Sequence, residues 1–363
     1  MALSSGRNLR ALKTLPLRVR FARRGPSISL EIAIAILIAA AGVVTLAGVA
    51  ITGEADRLAD RTGLGEAVFG GVLLGGSTSL SGIVTSVTAA LDGQASLALS
   101  NAVGGITAQT TFLVLADMLH RRANLEHAAA DANNLLMAAM LVLMVALPLG
   151  AAYAPPVTLF AIHPVSILLF VIYLFGARAA VSLNNTPMWR PQSTPETRAD
   201  APDEAAAHAR PLWLMAATFA GLSLILAVSG FAIARAGETI SVELGISQTV
   251  VGALMTAVAT SLPELVTTMA AVRRGALQLA VGGIIGGNTF DVLFLSLSDA
   301  AYRDGSIYHA MSQADGLMMM GAIIITAILL MGLIMRERRG IGFEGAAILV
   351  TYFGLAAVQV SLG

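Results

Sequence analysis

From residue 28 onward, long apolar runs alternate with short polar breaks. The first run, 28–51, is long enough to cross roughly 30 Å of hydrocarbon. It exceeds the core of a signal peptide and is not followed by a recognisable cleavage site. Comparable runs lie at 64–91, 94–119, 133–153, 157–178, 212–234, 246–272, 276–299, 314–335 and 341–362. The pattern predicts about ten transmembrane helices in an all-α polytopic membrane protein. A single extended polar interval, SLNNTPMWRPQSTPETRADAPDEAAAHAR, carries Pro187, Pro191, Pro195 and Pro202 and reads as a solvated linker. The chain then divides into a basic tail (1–27), a first membrane repeat (28–181), a polar cytoplasmic linker (182–211) and a second membrane repeat (212–363). Five helices per half is an odd number, so equivalent helices enter the membrane from opposite sides. Inverted repeats of this kind are the plan of many secondary transporters.

The repeat is visible in the residues themselves. Displacing the chain by 182 positions sets Val68 on Val250, Gly70 on Gly252, and Thr78-Ser79-Leu80 on Thr260-Ser261-Leu262. Without a gap, the match continues through Thr85, Gly93, Gly104, Gly105, Thr107 and Phe112 to Asp117 on Asp299. Ala and Leu pairings carry little weight in so apolar an alphabet. Thr-Ser-Leu and Gly-Gly-x-Thr at one common offset carry more.

Composition narrows the class. Hydrophobic residues make up 56% of the chain and charged residues 12%, and the mean hydropathy of +0.79 excludes an ordinary soluble domain. With zero net charge and its basic residues confined to the breaks, the chain offers no nucleic-acid surface. The absence of cysteine excludes disulfides and thiolate metal sites. No H-E-x-x-H motif or His dyad at helical spacing points to an enzyme. All five histidines read as loop or helix-end residues. With the amino terminus outside, the cytoplasmic breaks carry Arg57, Arg61, Arg121, Arg122, Arg178, Arg190, Arg198, Arg210, Arg273, Arg274, Arg336, Arg338 and Arg339, against Arg235 and Arg303 on the other side. That is a positive-inside distribution. The basic tail opposes it, leaving three readings open: a later start, a tail lying on a membrane surface, or a different helix count.

Two acidic residues interrupt the apolar runs of the second half. A carboxylate at membrane depth is costly unless it is paired, and it marks function by default. Glu264 has Ser261 and Thr260 three and four residues before it, so all three present oxygen from one helix face. Pro263 lacks an N–H, which predicts a kink and a freed carbonyl at Ala259. Asp291 lies one turn beyond Gly287, after Gly282, Gly283 and Gly286, where backbones can approach closely. Carboxylates, hydroxyls and free carbonyls suit hard cations such as Na⁺ and Ca²⁺. Thr85 and Thr267 read as bonded to their own helix backbones, and Asp117 and Asp299 as solvated helix-end residues.

ATSLPELVTTMAAVRRG followed by LAVGGIIGGNTFDVL resembles the second alpha repeat of the sodium/calcium exchanger (calcium/cation antiporter) family. GGSTSLSGIVTSVTAALDG followed by LALSNAVGGITAQTTF resembles a degenerate first alpha repeat. The resemblance implies a mid-membrane ion site shared by the two repeats. Thr260, Ser261, Glu264, Asp291 and Asn288 would come from the second, with carbonyls near Ala257 and Gly287. Thr78, Ser79 and Gln109 would come from the first, with carbonyls near Gly75 and Gly105. Where the family carries Pro-Glu in the first repeat, this chain has Ser81-Gly82. The implied activity is secondary-active antiport of Ca²⁺ or Na⁺ against Na⁺ or H⁺ by alternating access, with helices 28–51 and 212–234 as the sliding bundle. The implied setting is a bacterial-type inner membrane. Partners would be small cations and the lipid bilayer, with no resident cofactor. The alternative is a non-transporting ion sensor or scaffold derived from an exchanger.

Overall fold

A computed structural model describes residues 28–62, 78–119, 124–129, 131–185, 211–275, 277–335 and 341–362. The basic tail, residues 63–77 with Gly70, Gly71 and Gly75, and most of the polar linker lie outside the described residues. The helices are α1 (Leu30–Thr62), α2 (Leu80–Leu91), α3 (Ala95–Leu119), α4 (Ala132–Ala151), α5 (Pro164–Asn185), α6 (Leu212–Leu244), α7 (Gln248–Thr260), α8 (Leu262–Arg274), α9 (Leu277–Asp291), α10 (Leu293–Ala301), α11 (Gln313–Met335) and α12 (Gly342–Leu362). Six of these helices (α1, α3, α4, α6, α11 and α12) are long and apolar enough to cross a bilayer alone, α9 with α10 makes a seventh span and α7 with α8 a further bent one, and α2 and α5 are shorter apolar helices. The molecule is a polytopic all-helical membrane protein.

The boundaries depart from the hydropathy pattern in instructive places. Helices α1 and α6 both run 33 residues, well past the predicted 51 and 234. Their polar continuations, such as EADRLADRT after Gly53, still have good helical propensity, so the helix outlasts the apolar run. Helix α6 stops at Gly245, whose φ of 64° is the left-handed cap that glycine adopts without strain. The fifth helix starts at Pro164 rather than 157. Phe160 and Ala161, at φ 53° and 66°, instead form a turn closed by the Leu159–Ile162 bridge.

The predicted segments 246–272 and 276–299 are each broken. The first bends by 44° at Ser261, where Pro263 cannot continue the hydrogen-bond ladder. The second is interrupted at Val292. At Thr78-Ser79 in the first half, Ser79 (φ −73°, ψ −4°) takes the position of Ser261 (φ −95°, ψ 4°), so the repeated Thr-Ser-Leu marks a repeated break.

Apolar packing forms three clusters, one of them centred on the two long helices. Helices α1 and α6 lie along one another and share a core that includes Ala33, Val44, Ile51, Leu226, Ile233 and Ile240. The remaining helices pack in two further clusters, and α3, buried over most of its length, contributes to both. Small residues bring the long helices against the rest: a Cβ on Gly48 would sit 2.2 Å from Pro263, and one on Gly230 2.2 Å from the carbonyl oxygen of Ser81. Both contacts obey the 182-residue offset, so the repeat extends into the long helices.

Candidate functional site

The site forms where the breaks in α7–α8 and before α2 meet the buried helices α3 and α9. Asp291 ends α9 and is 1% exposed; Glu264 is in the first turn of α8 and is 7% exposed. The two are close enough for their charges to interact. The first half reaches across to both. Ser79 Oγ donates to Asp291 Oδ1 at 2.5 Å, and Gln109 Nε2 donates to Asp291 Oδ2 at 2.8 Å and to Ser261 Oγ at 3.2 Å. The Thr78 side chain hydrogen-bonds the Glu264 carboxylate. Gly105 lies against the same cluster, its absent Cβ 3.5 Å from Ser261 Oγ and 3.9 Å from Asp291 Oδ2, so a glycine leaves this wall open.

No cationic side chain among the described residues pairs with either carboxylate. Glu264 Oε2, Gln109 Oε1 and Asn288 Oδ1 are buried acceptors without a hydrogen-bond partner. Neutral donors can orient a carboxylate but cannot cancel its charge. A buried acid without a counter-ion must therefore take up a proton or a cation. Oxygens with lone pairs to spare are what a hard cation coordinates.

The other residues implied by the resemblance are placed less directly. The Thr260 hydroxyl donates to Thr256 O and Ala257 O within its own helix, and its carbonyl accepts from Ser81 Oγ at 3.3 Å. The Ala257 carbonyl takes both the Thr260 hydroxyl and the Ser261 N–H, so in this conformation it is already engaged. Asn288 donates to Thr110 Oγ1 of α3, and Gly287 is buried beside it on α9. Asn101 joins the halves a turn away, donating to Gly82 O and Ser86 Oγ and accepting from Thr256 Oγ1 at 2.7 Å. A π-helical stretch, Val251–Thr256, leads into the site, a distortion common near functional residues.

Two expectations are corrected. Asp117 and Asp299 are not solvated; they are 5% and 0% exposed. Each carboxylate accepts a backbone N–H from further along the chain. Asp117 Oδ1 accepts the N–H of Leu125 and Asp299 Oδ1 that of Ile307, eight residues on in both cases. Asp299 Oδ2 also accepts from the backbone N–H of His163 and from Ser166 Oγ. His127 and His163 lie in the last turn of a short helix and just before a helix start, as the sequence suggests, and both side chains are buried. Burial lowers the His163 imidazole pKa, against the opposing pull of Asp299. Sequence reasoning also missed Tyr173 on α5, whose buried hydroxyl has no partner and lies within electrostatic reach of Asp291.

Two buried acids with no cationic side chain paired to them among the described residues, set in an all-helical membrane fold, are what a cation transporter needs. The sequence model of the sodium/calcium exchanger protein family matches residues 32–179 and 214–361, and the chain belongs to that family, which is one of transporters rather than enzymes. The two matched segments are themselves displaced by 182 residues. Among curated relatives, a putative antiporter, CaxA of Alkalimonas amylolytica, is 32% identical over 160 residues, 44% of this chain and 48% of that protein. The sodium/calcium exchanger MaX1 of Methanosarcina acetivorans is 48% identical over 60 residues, 16% of this chain and 17% of that one. The matched stretches thus span no more than about half of those relatives' lengths. The solved structure of the sodium-calcium exchanger NCX_Mj soaked with Na⁺ and Sr²⁺ shares the fold, with a TM-score of 0.62 and 18% identity over 91% of this chain and 99% of that one.

Proposed function

We propose that this chain is a secondary-active cation antiporter, moving Na⁺ or Ca²⁺ across an inner (plasma) membrane in exchange for Na⁺ or H⁺. The observation that carries this reading is the pair Glu264 and Asp291, both buried, with no cationic partner among the described residues and held by neutral donors from the opposite half. In this reading Glu264 and Asp291 carry the charge that binds the cation. Thr78, Ser79, Ser261 and Gln109 contribute neutral oxygens and hold the acids in place. Thr260, Asn288 and the carbonyls of Ala257 and Gly287 complete the shell once local hydrogen bonds rearrange. Alternating access follows from α1 and α6 sliding as a unit over the rest, which suits a core of their own joined to the site helices through small residues. The two repeats and the linker at 182–211 are the units on which this mechanism is framed.

The test is uptake of ²²Na⁺ or ⁴⁵Ca²⁺ into proteoliposomes driven by a pH or Na⁺ gradient. Glu264→Gln, nearly isosteric, is expected to remain folded and to lose gradient-driven uptake. Transport at the wild-type rate in that variant would refute the site, and cation binding without flux in the wild type would favour a sensor.

A further inference from the structure

The position matching Glu264 in the first half is Gly82, and its missing side chain has not left a vacant space. A Cβ on Gly82 would lie 2.6 Å from Cε2 and 3.2 Å from Cζ of Phe294. Phe294 is 3% exposed and sits on α10 just beyond Asp291. Its ring meets Phe290 edge-on at 6.4 Å between centroids, and Phe290 meets Tyr173 edge-on at 5.7 Å. The three rings make a wall that runs alongside Asp291 and ends against Gly82. The carbonyl of Gly82 does not compensate, because it accepts from Asn101 Nδ2 at 3.3 Å. A ring edge carries partial positive charge and offers a dehydrated cation nothing to bind. Under the 182-residue offset, Phe294 matches Phe112, so the aromatic position is common to both halves and the carboxylate is the member lost.

We propose that Phe294 is a specificity-determining residue: its ring fills the place of a first-half carboxylate and restricts the site to one metal cation at a time. This rests on the cation-site reading above. Glu264 and Asp291 then hold either that cation or protons, and a second cation finds no ligand on the Gly82 side. Exchange runs as one cation against protons rather than against several co-bound cations.

The test uses the full chain purified in detergent and reconstituted in liposomes: wild type, Gly82→Glu, Phe294→Ala and the double variant. ²²Na⁺ and ⁴⁵Ca²⁺ bound per chain are measured at saturation, together with melting temperature and flux. One bound cation and a Hill coefficient near one are expected for the wild type. Gly82→Glu alone should melt lower without binding more. The double variant should regain its melting temperature and bind a second cation, so that the two substitutions are coupled rather than additive. The milder pair Gly82→Asp with Phe294→Leu serves if Gly82→Glu fails to fold. Two cations on the wild type, additive melting shifts, or a double variant that still binds one would each overturn the proposal. One bound cation with no flux in the wild type would instead defeat antiport and leave the assignment of Phe294 standing.

Discussion

At the scale of single residues, buried carboxylates differ in how fully they are supplied with donors. Asp299 and Asp315 are surrounded by donors: Asp299 takes His163 N, Ser166 Oγ and Ile307 N, and Asp315 takes Ser96 Oγ, Thr249 Oγ1 and both N and Oγ of Ser312. These acids pin loops and helix starts. Glu264 keeps an oxygen with no donor, as does Glu344, whose other oxygen accepts from Asn124 Nδ2. Asp299→Ala strands the buried N–H groups of His163 and Ile307, while Ser166 Oγ keeps Tyr308 Oη as a partner, and each unsatisfied group costs about 1–3 kcal/mol. A loss of about 2 kcal/mol or more in unfolding free energy is therefore expected. Asp304→Ala, at an exposed position, should stay within about 0.5 kcal/mol. Thermal unfolding in detergent reads both, and equal melting temperatures would contradict the capping role. Glu264 and Asp291 were legible in the sequence because a charge inside an apolar run stands out. Asp299 and Asp117 were not, since a carboxylate at a helix end ordinarily meets water. Nothing in hydropathy shows a loop folding back eight residues later to place its N–H groups there. Tyr173 was hidden for the converse reason, as an aromatic in an apolar helix looks like packing.

At the scale of elements, the sequence signals that succeeded were those that survive as backbone geometry. Thr-Ser-Leu, read as a repeat, became a pair of helix breaks at Ser79 and Ser261; Pro263 became the 44° bend. Contacts between elements were out of reach, because a glycine in an apolar run is silent about what it faces. Gly230 shows the point. It lets α6 lie on the backbone of Ser81, one residue from Gly82, while Thr85 Oγ1 donates to the Gly230 carbonyl at 2.9 Å. Gly221, earlier on the same helix, has nothing within 4 Å of a Cβ. Gly230→Ala must therefore push α6 off α2. Overpacking of this kind costs about 1–3 kcal/mol, and a sliding surface should tolerate it less than a static one. A lower melting temperature and flux slowed about tenfold or more are expected for Gly230→Ala. Gly221→Ala should be neutral or stabilising, since alanine favours a helix by about 0.5–1 kcal/mol over glycine. Identical melting and flux in the two variants would show that the close approach at Gly230 carries no energetic weight.

At the scale of the whole molecule, the 182-residue offset links residues that differ in chemistry but share a place: Gln109 with Asp291, Gly82 with Glu264, Gly48 with Gly230, Asp117 with Asp299. The scaffold is symmetric while the charge at its centre is one-sided, both acids coming from the second half. The proposed alternating access would need only the symmetric part, two equivalent sets of contacts for α1 and α6 to exchange. If those helices slide as a unit, fixing one of them to the core should stop transport without abolishing binding. Gly237 on α6 lies close against α7: a Cβ there would come 2.7 Å from Cγ2 of Thr256 and 3.5 Å from Cγ1 of Val251, at the start of the π-helical stretch. A disulfide between Gly237→Cys and Val251→Cys would tie the two helices together, and Gly237→Ala controls for the crowding against Thr256. The native chain has no cysteine to confuse the result. Oxidation of the double variant should halt gradient-driven flux, leave saturation binding of ²²Na⁺ or ⁴⁵Ca²⁺ intact, and be reversed by a reductant. Undiminished flux through a fully cross-linked protein would mean that α6 stays fixed on α7 during transport, and the sliding-bundle mechanism would have to be abandoned.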